Sequence, residues 1–141
     1  MQYPSQLLRA AILLFGCMVA TPACVSDSSD DVVIVTPAPT GLLTVEFTIE
    51  GTTNPTLCDF YGATHLELVL YDVYGGSFSD YAPCKDFVIS VETDVGYYTG
   101  EVVLLDYNLA PVSVSLILDD LRVVEGTELV VAVDFPLDAM L

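Results

Sequence analysis

From residue 41 onward, apolar and polar side chains alternate with a period of two, the pattern of strands that bury one face. In residues 43–50, Leu43, Val45, Phe47 and Ile49 fall on one side and Thr44, Glu46, Thr48 and Glu50 on the other. Leu66, Leu68 and Leu70 repeat the arrangement around Glu67, and Phe87, Ile89 and Val91 around Ser90 and Glu92. Tyr98, Val102 and Leu104 oppose Thr99 and Glu101, while Val112, Val114, Leu116 and Leu118 oppose Ser113 and Ser115. Leu129, Val131, Val133 and Phe135 oppose Asp134, and a short segment at 77–82 brings the number of strands to about seven. Turn chemistry separates the runs. Gly75-Gly76 can supply the positive φ of a tight hairpin, and Asp94-Val95-Gly96, Tyr107-Asn108 ahead of Pro111, and Glu125-Gly126-Thr127 mark further turns. No stretch in this region carries a helical period. Short strands at this density predict an all-β fold, an antiparallel β-sandwich spanning residues 41–141.

The first 40 residues follow a different pattern. Residues 1–23 contain no acid, and Arg9 with the N-terminal amine gives a weakly positive start. The apolar run AAILLFGCMVA from Ala10 to Ala20 follows; it is too short for a membrane span, which needs roughly 20 residues, and has the length of a secretory signal core. The segment ends in Thr21-Pro22-Ala23-Cys24, which resembles a bacterial lipobox with a small residue before the cysteine that receives the lipid. Leu14-Phe15-Gly16-Cys17 is a competing match that leaves a much shorter apolar core ahead of cleavage. The expectation is a signal peptide at 1–23, lipidation of Cys24, and a tether from 24 to 40. The tether sequence, rich in Ser and Asp and ending in Thr-Pro-Ala-Pro, has no face to bury. Val32 to Val35 is the exception, and either joins the spacer or adds an edge strand to the domain. Val25 rather than Asp follows Cys24, and the resemblance to lipoproteins therefore implies the outer membrane, on its periplasmic or its exposed side.

Lipidation changes how the four cysteines divide. Cys17 falls in the signal, Cys24 takes the lipid, and Cys58 and Cys84 remain as an even pair in an exported domain, which reads as a disulfide. The rival reading is a metal pair with His65, but the close ligand spacing of a zinc site is missing.

Charge narrows the partners. The 141 residues hold 3 Lys+Arg against 20 Asp+Glu, a formal net charge of −17. Three cations cannot neutralise a phosphate backbone or form a polybasic membrane patch, which excludes nucleic acid and leaves a lipid anchor as the contact with membrane. Residues 41–141 alone carry 17 acids against Lys85 and Arg122, a net −15.

Candidate chemistry is sparse. There is no G-x-S-x-G elbow beside the one histidine, His65, and no Gly-rich phosphate loop, so the chain is expected to be non-enzymatic and to need no cofactor. Asp119, Asp120, Glu125 and Glu128 flank one turn and are the candidates for a calcium site, although their spacing is not that of an EF-hand. Two readings stand: an envelope module that docks on a protein partner, and an accessory protein that binds calcium or a small ligand. The first draws on apolar residues on the outward side of the strands, namely Val69, Tyr71, Val103, Leu105, Ile117, Val130 and Ala132, and on tyrosines beside acids, as in Tyr71-Asp72, Asp80-Tyr81 and Asp106-Tyr107.

Two resemblances bear on the fold. Gly96-Tyr97-Tyr98 ahead of a strand, in GYYTGEVVLLDYNLAPVSVSL, looks like the Gly-x-Tyr motif of prealbumin-like and carboxypeptidase-regulatory-like β-sandwiches, with Gly96 and Tyr98 as the matching positions. Residues 41–141 as a whole resemble acidic single-domain bacterial lipoproteins that open on a strand of the LTVEFTIEG kind, hold one Cys pair and close on VEGTELVVAVDFP-like strands. The resemblance implies a fold and a location, and no chemistry.

Overall fold

A computed structural model describes residues 36–141. The signal segment, Cys17, Cys24 and the Val32–Val35 segment lie outside the described residues. Seven strands form within them: β1 (Thr40–Ile49), β2 (His65–Asp72), β3 (Ser77–Pro83), β4 (Val88–Asp94), β5 (Gly96–Leu105), β6 (Leu116–Val123) and β7 (Glu128–Phe135). They pair as a three-stranded sheet, in the order β4-β1-β7, and a four-stranded sheet, in the order β3-β2-β5-β6. The period-two residues meet between them. Leu43, Val45, Phe47 and Ile49 of β1 face Leu66, Leu68 and Leu70 of β2 in one buried cluster with Ile89, Val91, Val102 and Leu104. Phe47 sits between two rings, 5.2 Å from Phe87 and, edge-on, 6.0 Å from Phe135.

Four of the five strand pairings are antiparallel; β1 and β7 run parallel, with Leu42 opposite Glu128 and Ile49 opposite Phe135. The turn after β6 explains this exception. It crosses to the other sheet at the end where β1 begins, with the Gly126 N–H donating to the Thr40 carbonyl and the Leu42 N–H to that of Thr127. The last strand therefore starts beside the start of the first and runs with it.

β6 departs from the expected residues 112–118. Residues 112–115 lie between the end of β5 and the C-terminal residues: the Val112 N–H donates to the Leu104 carbonyl, and the Val114 N–H to that of Ala139. Ser113 is fully buried, and its Oγ accepts the Leu104 N–H at 2.9 Å and donates to the Val114 carbonyl, so a hydroxyl replaces one step of the ladder. The strand itself runs on to Val123 because a bulge resets its parity. Leu118 pairs with Gly100 and Leu121 with Tyr98, which sets two residues of β6, Asp119 and Asp120, against the single Thr99 of β5, with Asp120 at φ 56°. Two inward leucines three positions apart do not read as a strand in a period-two scan. Gly100 is needed at this crossing, since a Cβ there would come within 3.0 Å of both the Leu70 side chain and the Val69 carbonyl.

A helix forms between β1 and β2, in a region where the sequence shows no helical period. α1 (Pro55–Tyr61) starts at Asn54, whose side chain accepts the Thr56 N–H, has Pro55 in its first turn, and stops at Gly62 in the left-handed conformation, φ 69°. The two crossings between sheets at this end, β1 to β2 through α1 and β3 to β4 through the short turn Cys84–Asp86, are tied by the Cys58–Cys84 disulfide, Cα–Cα 6.1 Å. Both cysteines are fully buried, and Lys85 pairs with Asp59 at 2.7 Å on the surface above them.

Candidate interaction face

The strand registers sort the outward residues into two faces. On the four-stranded sheet, Tyr81, Glu67 and Val103 lie in one row across β3, β2 and β5. The next row is Ser79, Val69, Glu101 and Ile117, and the next holds Ser77, Tyr71 and Thr99. Tyr97 and Arg122 form a further pair on β5 and β6. Val69, Tyr71, Val103, Leu105 and Ile117 therefore share this face, while Val130 and Ala132 lie on the other sheet. Ile117 is 63% exposed and Tyr97 60%, so bulky apolar surface meets solvent here. Val103 and Leu105 are corrections to the expected patch. Both are buried, where the chain after β5 turns back beside them: the Asp106 carboxylate accepts the Asn108 and Ala110 N–H groups, and Pro111 bridges to Leu105.

Two tyrosines are fastened to carboxylates across strands. Tyr81 donates its phenol to Glu67 at 2.8 Å, and Tyr71 donates to Glu101 at 2.6 Å. Hydrogen bonding to the carboxylate, with smaller contributions from desolvation and the negative charge, raises both phenol pKa values above the ordinary tyrosine range. These partners are not the sequence neighbours first noted. Asp80 instead accepts the Tyr81 backbone N–H, and Asp72 accepts those of Tyr74 and Gly76 within the hairpin. The hairpin turns about Tyr74, with Tyr71 opposite Ser77 and so Tyr81 opposite Glu67; a tight turn centred on Gly75-Gly76 would set the register three residues off, so the glycines mark the hairpin without giving the pair. Arg122 lies over the Tyr97 ring at 5.8 Å, a cation–π contact on the same face.

The outer face of the three-stranded sheet is built differently. Thr44, only 5% exposed, holds Ser90 at 2.9 Å and donates to Glu128 at 2.6 Å, while Thr48 donates to Asp134 at 2.6 Å. An open hollow of about 800 Å³ lies at the Glu46–Thr48 end of β1, with Val88 and Ala132 on either side of Glu46, and Asp86 and Asp134 also lining it.

The calcium candidates do not converge. Asp119 and Asp120 sit at the β6 bulge, Glu125 in the turn that follows, and Glu128 on the outer face of the other sheet, engaged by Thr44. Among the described residues no three His, Cys, Asp or Glu side chains are grouped closely enough to hold a metal ion. His65 opens β2 with its Nδ1 2.8 Å from the Thr64 hydroxyl, and the two cysteines of the rival metal reading are bonded to each other. The Gly96/Tyr98 motif forms a corner between β4 and β5. The Tyr98 ring folds back over Gly96, and its hydroxyl donates to the Asp94 carbonyl at 2.9 Å.

No protein-family model and no curated protein matches the chain. Among solved structures it is similar to a leucine-rich repeat protein from Bacteroides thetaiotaomicron, at 15% identity and a TM-score of 0.47, over 69% of this chain and 12% of that one. At that level the likeness carries no argument about function.

Proposed function

We propose that this is a lipid-anchored, non-enzymatic protein of the bacterial cell envelope, held on the outer membrane through Cys24 and acting as an interaction module. The observation that carries the reading is the outer face of β3-β2-β5-β6, where Tyr71, Tyr81, Tyr97 and Ile117 stand exposed on a four-stranded sheet. Tyrosine suits such a surface because a large apolar ring comes with a polar tip and little rotamer freedom to lose. The lipobox-like Cys24 and the spacer after it support the anchored location, as does a disulfide of the kind exported domains carry.

Two measurements on cells test it. Palmitate labelling is expected to disappear with Cys24→Ser; labelling that survives this change and vanishes with Cys17→Ser places the anchor elsewhere. A photo-crosslinking residue at Ile117 is expected to capture a defined envelope protein, and one at Val130, on the other sheet, is expected to capture none. Capture from both positions alike, or from Val130 alone, overturns the choice of face.

A further inference from the structure

The chemistry of this face restricts what can dock on it. Glu67 and Glu101 are diagonal neighbours across β2 and β5, about 7–8 Å apart, with Val69 directly opposite Glu101 and two positions along β2 from Glu67. Each carboxylate accepts one phenol, from Tyr81 and Tyr71 respectively, which fixes a carboxylate against the edge of an aromatic ring. An ionised carboxylate offers about four acceptor sites, so most of each remains open to a second donor. No cation of the domain supplies it. Among residues 41–141 the cations are Lys85, paired with Asp59, and Arg122, which lies over the Tyr97 ring at 5.8 Å. With 17 acids against these two, the domain repels a second copy of itself, a nucleic acid and an anionic lipid surface. A guanidinium satisfies both halves of the arrangement: its planar fork binds a carboxylate through two donors while its face stacks on a ring. Arg122 over Tyr97, at 5.8 Å from the ring centre, is a looser cation–π contact between the same two side-chain types on this face.

We propose that the outer face of β3-β2-β5-β6 docks on an arginine-bearing protein surface, with Glu67–Tyr81 and Glu101–Tyr71 each receiving one guanidinium and Val69 and Ile117 meeting the apolar surface between them. This rests on the reading of that face as the interaction surface and names the chemistry of its partner. Lysine fits less well, because an ammonium lacks both the fork and the flat face.

The test uses the full chain carrying Cys24→Ser, labelled with ¹⁵N, and three peptides of equal length that alternate threonine with arginine, lysine or glutamate. At low salt the arginine peptide is expected to shift amides of β2, β5 and β6 around Val69 and Ile117. It should bind several-fold tighter than the lysine peptide, and the glutamate peptide should not bind. The double variant Glu67→Gln/Glu101→Gln removes charge with little change of shape and is expected to weaken the arginine peptide by about tenfold. Glu46→Gln/Glu92→Gln, on the other sheet, removes the same charge and is expected to change it by less than about twofold. Equal binding of arginine and lysine peptides with shifts spread over every acidic surface overturns the proposal, as does equal weakening by the two double variants. So does dimerisation through this face in sedimentation at high salt. Capture of a partner from Ile117 in cells together with failure of the arginine peptide leaves the interaction face standing and removes its arginine chemistry.

Discussion

The two outer faces of the sandwich start from the same alternation and put their polar groups to opposite uses. On β4-β1-β7, hydroxyls and carboxylates bond to one another over short side chains: Thr44 to Ser90 and Glu128, Thr48 to Asp134. That surface is knitted into itself, and Thr44 is almost completely covered. On β3-β2-β5-β6 the polar groups hold long aromatic side chains upright, Tyr81 by Glu67 and Tyr71 by Glu101, with Val69 and Ile117 between and beside them. Each bond leaves acceptor capacity and ring surface facing outward. A face that satisfies its own polar groups gains stability and keeps fewer acceptors open for a partner, even where Val88 and Val130 stay exposed on it. A face that orders its aromatics while leaving acceptors open gives a partner surface that is already in place, which lowers the ordering cost of binding.

The largest way to probe the contrast acts on both faces equally. The Cys58–Cys84 bond closes a loop with a sequence separation of 26 between the two crossings from sheet to sheet. Replacing both cysteines by alanine is expected to lower stability by about 3.5 kcal/mol on the chain-entropy account, read as a shift in the urea midpoint. Because the bond belongs to the crossings and to neither face, the Tyr81–Glu67 and Tyr71–Glu101 pairs should persist below the transition. Their loss in the native baseline of the variant would mean that the staple holds the four-stranded face in shape.

How far these features were legible in the sequence follows from their range. The inward rows of β1, β2, β5 and β7 were visible because a half-buried strand needs only alternation along its own length. β6 was displaced because two of its determinants lie off that period. The bulge at Asp119–Asp120 shifts parity between Leu118 and Leu121, and Ser113, which looks like an outward polar residue, is buried to receive the Leu104 N–H. α1 escaped because it has seven residues, too few to establish a helical period, although Asn54-Pro55 and Gly62 are its start and stop signals. The Tyr–Glu pairs are properties of register. An acid next to a tyrosine in the chain points to the opposite side of the sheet, and the acid that meets the ring comes from the neighbouring strand.

A pair of substitutions of intermediate size separates the faces directly. Thr44→Val keeps the shape of the side chain but removes the donor to Glu128 and the partner of Ser90, and is expected to cost about 1–2 kcal/mol. Val69→Thr makes the reverse exchange on the other face, at a half-buried position without a bond to break, and is expected to stay within about 0.5 kcal/mol. Thermal or urea unfolding of the two variants reads both values. Equal costs would remove the distinction between a self-bonded face and an open one.

The smallest expected effect is the most local. Tyr71 and Tyr81 both titrate above the ordinary tyrosine range, first because their phenols donate to Glu101 and Glu67. Folding therefore favours the protonated phenol. The stability this contributes is fully present below the ordinary tyrosine pKa and is lost as pH rises through the higher folded value, so the window opens above about pH 10. Phenolate absorbance near 295 nm is expected to rise at lower pH in Glu101→Gln and in Glu67→Gln than in the unaltered protein. Tyr61, raised in the same way by Glu50 beside α1, stays unchanged in both variants and serves as the internal reference. Glu46→Gln on the other sheet should leave the tyrosine titration alone, because among the described residues no tyrosine stands on that face. A shift with Glu46→Gln as large as with Glu101→Gln would mean that the phenols respond to the overall charge of the domain and not to the carboxylates bonded to them. The two carboxylates would then lose the fixed placement against their rings that the docking proposal requires.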